Sequence, residues 1–369
     1  MRLGFGLYRH MLDQAHYEFA AQCGASDVVV HLVDYFNRIN QRSSDQPIGG
    51  LDGWGEAGDP DRIWEVADLV RVRREIESQG LRWYAIENFD PAHWHDILLD
   101  GPKRAHQIEQ VKRMIRHVGE AGIPVIGYNF SLAGVAGRKT GKVARGNAEC
   151  VLMDGIDELN SAPIKQGMVW NMTYDTRAAP GVMPSISHEQ LWDRLQRFLR
   201  EVVPVAEQAG VRLAAHPDDP PLEFVRQQPR LVYQPHLYHR LLAACPSHAN
   251  GIELCLGTVA EMTTGDVYDT ARTYVQGRHV PYIHLRNVRG KAPHYQETFI
   301  DDGDIDIHRV IRVLHEEGFD GVIIPDHAPQ MSCAAPWYAG MAFAMGYLRA
   351  AIQSTTGPNL NLAASRTAS

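Results

Sequence analysis

The sequence predicts a (β/α)8 barrel with a long insertion after its fourth strand. Three observations carry that expectation. Eight short apolar runs recur along the 369 residues, amphipathic stretches separate most of them, and the runs are continuously apolar rather than alternating. Continuous runs suit parallel strands covered on both faces. Eight of them separated by helices close into a barrel more readily than they form an open sheet. An open doubly wound sheet is the alternative, and it lacks its Gly-rich phosphate loop after the first strand.

In order, the strand candidates are "LGFGLY" (3–8), "DVVVHLV" (27–33), "LRWYAIEN" (81–88) and "IPVIGYNF" (123–130). They continue with "VRLAAHP" (211–217), "GIELCLGT" (251–258), "VPYIHLRN" (280–287) and "GVIIPDH" (321–327). Helical periodicity marks 12–25, 61–81, 105–123, 188–211 and 305–319, and several of these end in Gly just before the next strand, as a C-cap followed by a tight loop would. Residues 131–187, rich in Gly, Ala, Asn and Pro, form a connection long enough to be a lid or binding loop. The expected organisation is one barrel domain over 1–353, and the small, polar stretch 354–369 reads as a disordered tail.

Composition excludes several classes. A net charge of -8 with no basic patch speaks against nucleic acid. No apolar run approaches bilayer length, so no membrane partner is expected. Five scattered cysteines without CxxC spacing suit a reducing compartment, and with no signal-peptide core at the N-terminus the expected location is cytoplasmic. GxSxG and Walker-type loops are missing, which argues against serine hydrolase and nucleotide chemistry.

The carboxyl ends of the eight strands carry the functional signal. They offer Tyr8 and Arg9, His31, Glu87 and Asn88, Tyr128 and Asn129, His216, Cys255, His284 with Arg286, and Asp326 with His327. Barrel enzymes build their active sites at that face from several strands. His216, Cys255, His284 and Asp326 end the fifth to eighth strands, and two imidazoles, a thiolate and a carboxylate make a mixed donor set for a divalent transition metal. Cysteine argues against Mg²⁺ and Ca²⁺ but does not rank Mn²⁺, Fe²⁺, Co²⁺, Ni²⁺ and Zn²⁺. Manganese is taken as the first expectation and iron as the second. Arg286 is placed to grip a substrate carboxylate with its planar fork, and Asn129, Glu87 and His31 are the other expected substrate contacts.

Smaller clusters have plainer readings. In "HPDDPP" (216–221), Asp218 or Asp219 is a candidate to hold the ring N–H of a ligand histidine, or else forms a cap or solvated turn. His93 and His95 in "DPAHWHDILLDG" read as a loop at the rim or a subunit contact. "IDDGDIDIH" lacks the spacing of an EF-hand and reads as a turn into the last barrel helix, with Asp304 or Asp306 near its start.

Taken together, "AAHPDDPP" followed by "QQPRLV", then "NGIELCLGT", "YIHLRNV" and "IPDHAPQM", resemble the D-mannonate dehydratase family in order and spacing. "LWDRLQRFLREVVPVAEQAGVRLAAHPDDPP" is similar to its fifth-strand region, and "GLRWYAIEN" and "EAGIPVIGYNF" look like its third and fourth strands. The resemblance covers most of 75–130 and 188–350. It implies a barrel hydro-lyase of hexuronate breakdown that converts D-mannonate to 2-keto-3-deoxy-D-gluconate with a divalent metal, as well as self-association. Carried over residue by residue, the metal ligands are His216, Cys255, His284 and Asp326. His327 matches a proposed acid/base residue, and Tyr338 in "PWY" resembles a second. The segments "LGFGLYRHML", "VVVHLVDYF" and "SLAGVAGRKT" depart from the family's pattern, so the metal half is kept while part of the substrate half is changed. The rival expectations are a dehydratase of another aldonic or uronic acid and a metal-dependent sugar isomerase or epimerase.

Overall fold

A computed structural model describes residues 1–36 and 47–357. Its centre is a closed barrel of parallel strands. These are β1 (Arg2–Tyr8), β2 (Asp27–His31), β3 (Arg82–Glu87), β4 (Val125–Tyr128), β5 (Arg212–Ala215), β6 (Asn250–Cys255), β7 (Tyr282–His284) and β8 (Val322–Ile324). Each pairs with its neighbour in sequence, and β8 closes on β1. Every strand falls within a predicted run or one residue from it. The strands are buried on both faces, as in 0% exposure for Val28, Val29 and Val30 of β2, which is why their sequences do not alternate.

Register places the chemistry. Tyr8 sits opposite His31, His31 opposite Glu87, and Cys255 opposite His284. Residues that end different strands therefore share one layer at the barrel mouth. Among the helices, His188–Ala209 opens on a capping box at Ser187 and stops at Gly210, whose φ of 67 is left-handed. That conformation suits glycine, and it turns the chain directly into β5.

Four differences from the sequence expectations have physical reasons. Pro91–Leu99 is a helix rather than a loop; Asp90 caps it through Ala92 N–H, and proline occupies its first turn. It is buried all round, so it has no polar face for periodicity to reveal. His93 and His95 are buried within the fold, with His95 Nδ1 2.8 Å from the Pro91 carbonyl and its ring stacked on Tyr174. The insertion is ordered: Lys139–Ala144 and Ala148–Asp154 join a hairpin, Asn287–Lys291 with His294–Thr298, in a four-stranded antiparallel sheet. Finally, the C-terminal helix Pro336–Thr356 takes in Ser354, Thr355 and Thr356 of the expected tail. Residues 358–369 lie outside the described residues. Of Asp304 and Asp306, both expected near the start of the helix Ile307–Glu316, it is Asp306 that caps it, accepting from Arg309 N–H at 3.0 Å.

Gly127 on β4 shows how tightly the barrel interior is filled. A Cβ there would overlap the Tyr282 hydroxyl and lie 2.7 Å from Glu253 Oε2. Gly127→Ala is expected to lower stability by about 1–3 kcal/mol, read as a lower midpoint in chemical denaturation; an unchanged midpoint would show that the interior yields more than the contacts imply.

Candidate metal and active site

β5, β6 and β7 carry His216, Cys255 and His284 to one point. One nitrogen of each imidazole and the sulfur lie within 4.8 Å of one another. All three side chains are largely or wholly buried, and His216 and His284 line the cavity at the barrel mouth. A second donor set, Glu87, Glu253 and His284, shares His284 and meets the same spacing.

The surroundings tune each group. His216 Nδ1 lies 2.6 Å from the Pro217 carbonyl oxygen. A carbonyl only accepts, so Nδ1 carries the proton and Nε2 is left as the donor atom. Burial works against charge on this ring, but Glu253 and Cys255 raise its pKa to about 10. Burial would likewise push the Cys255 thiol up. The Arg286 guanidinium, whose Nη1 donates to Sγ at 3.0 Å, overcomes this and lowers it, favouring thiolate. Asp326 Oδ1 stands 3.3 Å from His284 Nδ1 and its Oδ2 stands 3.7 Å from Cys255 Sγ, so the fourth expected ligand adjoins the other three.

A cation fits here for a reason independent of spacing. Both ring nitrogens of His284, both oxygens of Glu253 and Glu87 Oε2 are buried without a hydrogen-bond partner. Orphaned buried polar atoms are costly, and a divalent ion held by one ring nitrogen of His284 would give that atom its partner.

His327 is held on both edges. Its Nδ1 lies 3.1 Å from Glu297 Oε1 and its Nε2 3.2 Å from Asp326 Oδ1. Burial disfavours the imidazolium, but these two carboxylates outweigh it and raise the pKa of His327. Arg286 is wholly buried, and its terminal nitrogens are occupied. It contacts Asp326 closely, donates to Asp219 at 2.8 Å, to Glu261 at 3.0 Å and to Thr258 at 3.1 Å, and has Glu297 3.4 Å from Nε. Its fork is thus turned on protein groups.

The other expected contacts divide. His31, Glu87 and Asn129 line the cavity. His31 Nε2 is 3.5 Å from Glu87, and Asn129 is fixed by Trp170 Nε1–H and by its own donation to the Pro217 carbonyl. Tyr338 is not brought there. It is partly exposed on the first turn of the C-terminal helix, stacked on His16, with its hydroxyl 3.0 Å from His16 Nε2. The aspartates of "HPDDPP" serve neither expected role. Asp218 accepts from Leu231 and Val232 N–H, while Asp219 pairs with Arg286 and stands 3.5 Å from Arg138. The ring N–H of His216 goes to a backbone carbonyl instead.

Sequence reasoning missed Glu253, Glu297 and Arg138. Glu253 had a legible signal: an acidic residue inside an apolar strand, two positions before Cys255 and so on the same face. Glu297 and Arg138 had none, because each arrives on an insertion whose pairing is set only by the tertiary fold.

Comparison with known proteins agrees with the motifs. The family model for D-mannonate dehydratase (UxuA) matches residues 48–355. The chain is 31% identical to a mannonate dehydratase of Streptococcus pneumoniae over 285 residues, covering 72% of this chain and 75% of that protein. A mannonate dehydratase of Geobacillus thermodenitrificans is likewise 31% identical, over 283 residues, covering 72% of this chain and 76% of that protein. The crystal structure of mannonate dehydratase from Streptococcus suis superposes with a TM-score of 0.70 at 23% identity, covering 96% and 93% of the two chains. An L-ribulose 3-epimerase shares the barrel at a TM-score of 0.56 and 14% identity, covering 100% and 99%. With a family match over most of its length and this level of identity to mannonate dehydratases, the chain belongs to the D-mannonate dehydratase family.

Proposed function

We propose that this protein dehydrates D-mannonate to 2-keto-3-deoxy-D-gluconate, with a divalent transition metal held by His216, Cys255, His284 and Asp326. The observation that carries the reading is the convergence of thiolate and two imidazoles within 4.8 Å at the barrel mouth. Asp326 stands beside them. Manganese is the first candidate ion and iron the second. When bound, the ion supplies Lewis acidity toward the substrate carboxylate and an adjacent hydroxyl, and orients both.

The reaction removes a proton from C2 and hydroxide from C3. The C–H electrons form the C2–C3 double bond, the hydroxide leaves with a proton as water, and the resulting enol becomes the 2-keto acid. The chain's own residues must therefore move protons at the barrel mouth. His327 is the residue proposed for this. Its Nδ1 faces Glu297 at 3.1 Å and its Nε2 faces Asp326 at 3.2 Å, so Nε2, on the side of the expected ligands, is the nitrogen proposed for exchange. Arg286 acts on the ligands rather than on the substrate alone, holding Cys255 as thiolate and steadying Asp326. His31, Glu87 and Asn129 line the cavity and are proposed to position the sugar hydroxyls.

A second reading is favoured by one observation. The set Glu87, Glu253 and His284 is richer in carboxylate, as sites that isomerise or epimerise sugars by moving hydrogen without losing water would be. Product identity separates the two.

Metal-depleted protein reloaded with Mn²⁺, Fe²⁺, Co²⁺, Ni²⁺, Zn²⁺ or Mg²⁺ and given D-mannonate is expected to form a 2-keto-3-deoxy acid only with transition ions. Product solely from another aldonate or uronate would reassign the substrate, and an isomerised sugar would favour the second reading. His327→Asn is expected to keep its metal and lose roughly 10²- to 10⁴-fold in kcat; turnover within a few-fold of wild type would remove His327 from the proton path. Tyr338→Phe, by contrast, is expected to leave kcat and KM within about twofold, since its hydroxyl meets His16 at the surface. A loss of kcat comparable to that of His327→Asn would show that the C-terminal helix moves toward the site.

A further inference from the structure

Glu253 is completely buried, and neither of its oxygens has a hydrogen-bond partner. Its Oε1 lies 3.0 Å from His284 Nε2, and Glu87 Oε2, also unpartnered, lies 3.2 Å from the same nitrogen. The opposite edge of the ring presents Nδ1 toward Asp326, at 3.3 Å. His284 is thus shared between two donor sets, one with His216 and Cys255 and one with Glu87 and Glu253.

A neutral imidazole has one proton and one lone pair. It cannot give both nitrogens to ions without losing that proton, so one edge takes the ion and the other keeps N–H. Thiolate and the second imidazole are the softer donors and suit a transition metal. The carboxylate pair suits the N–H, because a ligand histidine commonly donates its outer proton to a carboxylate, which fixes the tautomer and strengthens the ring as a ligand. The Pro217 carbonyl does the same for His216. Without such a partner the tautomer protonated at Nδ1, which cannot give Nδ1 to an ion, would also be open to His284.

We propose that Glu253, with Glu87 beside it, is the positioning residue for His284: it accepts the Nε2–H hydrogen bond and leaves Nδ1 for the metal. The inference rests on the metal reading given above. The 3.0 Å separation is within hydrogen-bond reach. Glu253 reaches this spot because it lies two residues before Cys255 on β6, on the same face. Gly127 opposite leaves room for its carboxylate.

The test uses the full chain loaded with Co²⁺, whose bond to a thiolate gives a sulfur-to-metal charge-transfer absorption. Wild type and Glu253→Gln are both expected to bind one ion per chain with that band. In competition with a chelator, the variant should hold it roughly 10- to 100-fold more weakly. A merely structural role would lower the melting point of the metal-free protein without moving this affinity. A second measurement needs no variant: in the Zn²⁺-loaded protein, long-range ¹H–¹⁵N correlation should find the His284 proton on Nε2. Unchanged cobalt affinity in Glu253→Gln, or a proton on Nδ1, overturns the proposal. Loss of a whole cobalt equivalent overturns it in favour of an ion seated between Glu87, Glu253 and His284. Wild type that binds no cobalt at all would sink the metal site itself, a failure distinct from either of these.

Discussion

The guanidinium of Arg286 is the interaction on which the barrel mouth depends. It is buried to 1% exposure and touches the thiol of Cys255 and the carboxylates of Asp326, Asp219 and Glu261. Taking one cation and several anions out of water costs several kcal/mol per ion, so such a cluster persists only when every member is paired. Arg286 lies just past β7 and draws together the ends of β5, β6 and β8. Burial alone would weaken its charge, but the surrounding anions hold it firmly protonated. The same contact that fixes the architecture also sets the chemistry, because it favours the thiolate form of Cys255.

This explains why a buried strand leaves through His216-Pro217-Asp218-Asp219-Pro220-Pro221. Neither aspartate faces solvent; they are 3% and 2% exposed. Asp218 satisfies two backbone N–H groups of the returning loop and stands 3.0 Å from Arg230 Nε. Asp219 lies between Arg286 and Arg138, which overcome the effect of burial and lower its pKa to about 2. A stretch that reads as a polar turn is a wall of the site. Its charges are there to meet arginines that arrive from elsewhere in the chain.

What the sequence made legible follows from which signals are local. All eight strands were readable because burial on both faces writes itself as an apolar run, and strand ends pointed to His216, Cys255, His284 and Asp326. The misreadings are of another kind. Pro91–Leu99 looked like a loop because a helix buried on every side loses its polar stripe. Glu297 went unread, because only the hairpin Asn287–Thr298 turns it inward onto His327. Tyr338 was assigned by motif alone, and its ring packs against His16 and Phe19 instead. Tertiary partners decided each of these, and no window of sequence contains them.

The site consequently has two parts of different origin. The charged groups that bear on bond making sit at strand ends or directly beside them, where eight paired strands restrict their movement. The remainder of the cavity comes from connections: Tyr35 and Trp54 follow β2, and Val135, Arg138 and Trp170 come from the insertion after β4. Tyr35, Trp54 and Trp170 pack edge to face or tilted, with centroids 5.2, 5.5 and 5.8 Å apart, and form an aromatic cluster in the cavity lining. Changes confined to the connections can reshape what the cavity admits while the barrel keeps its charges in register.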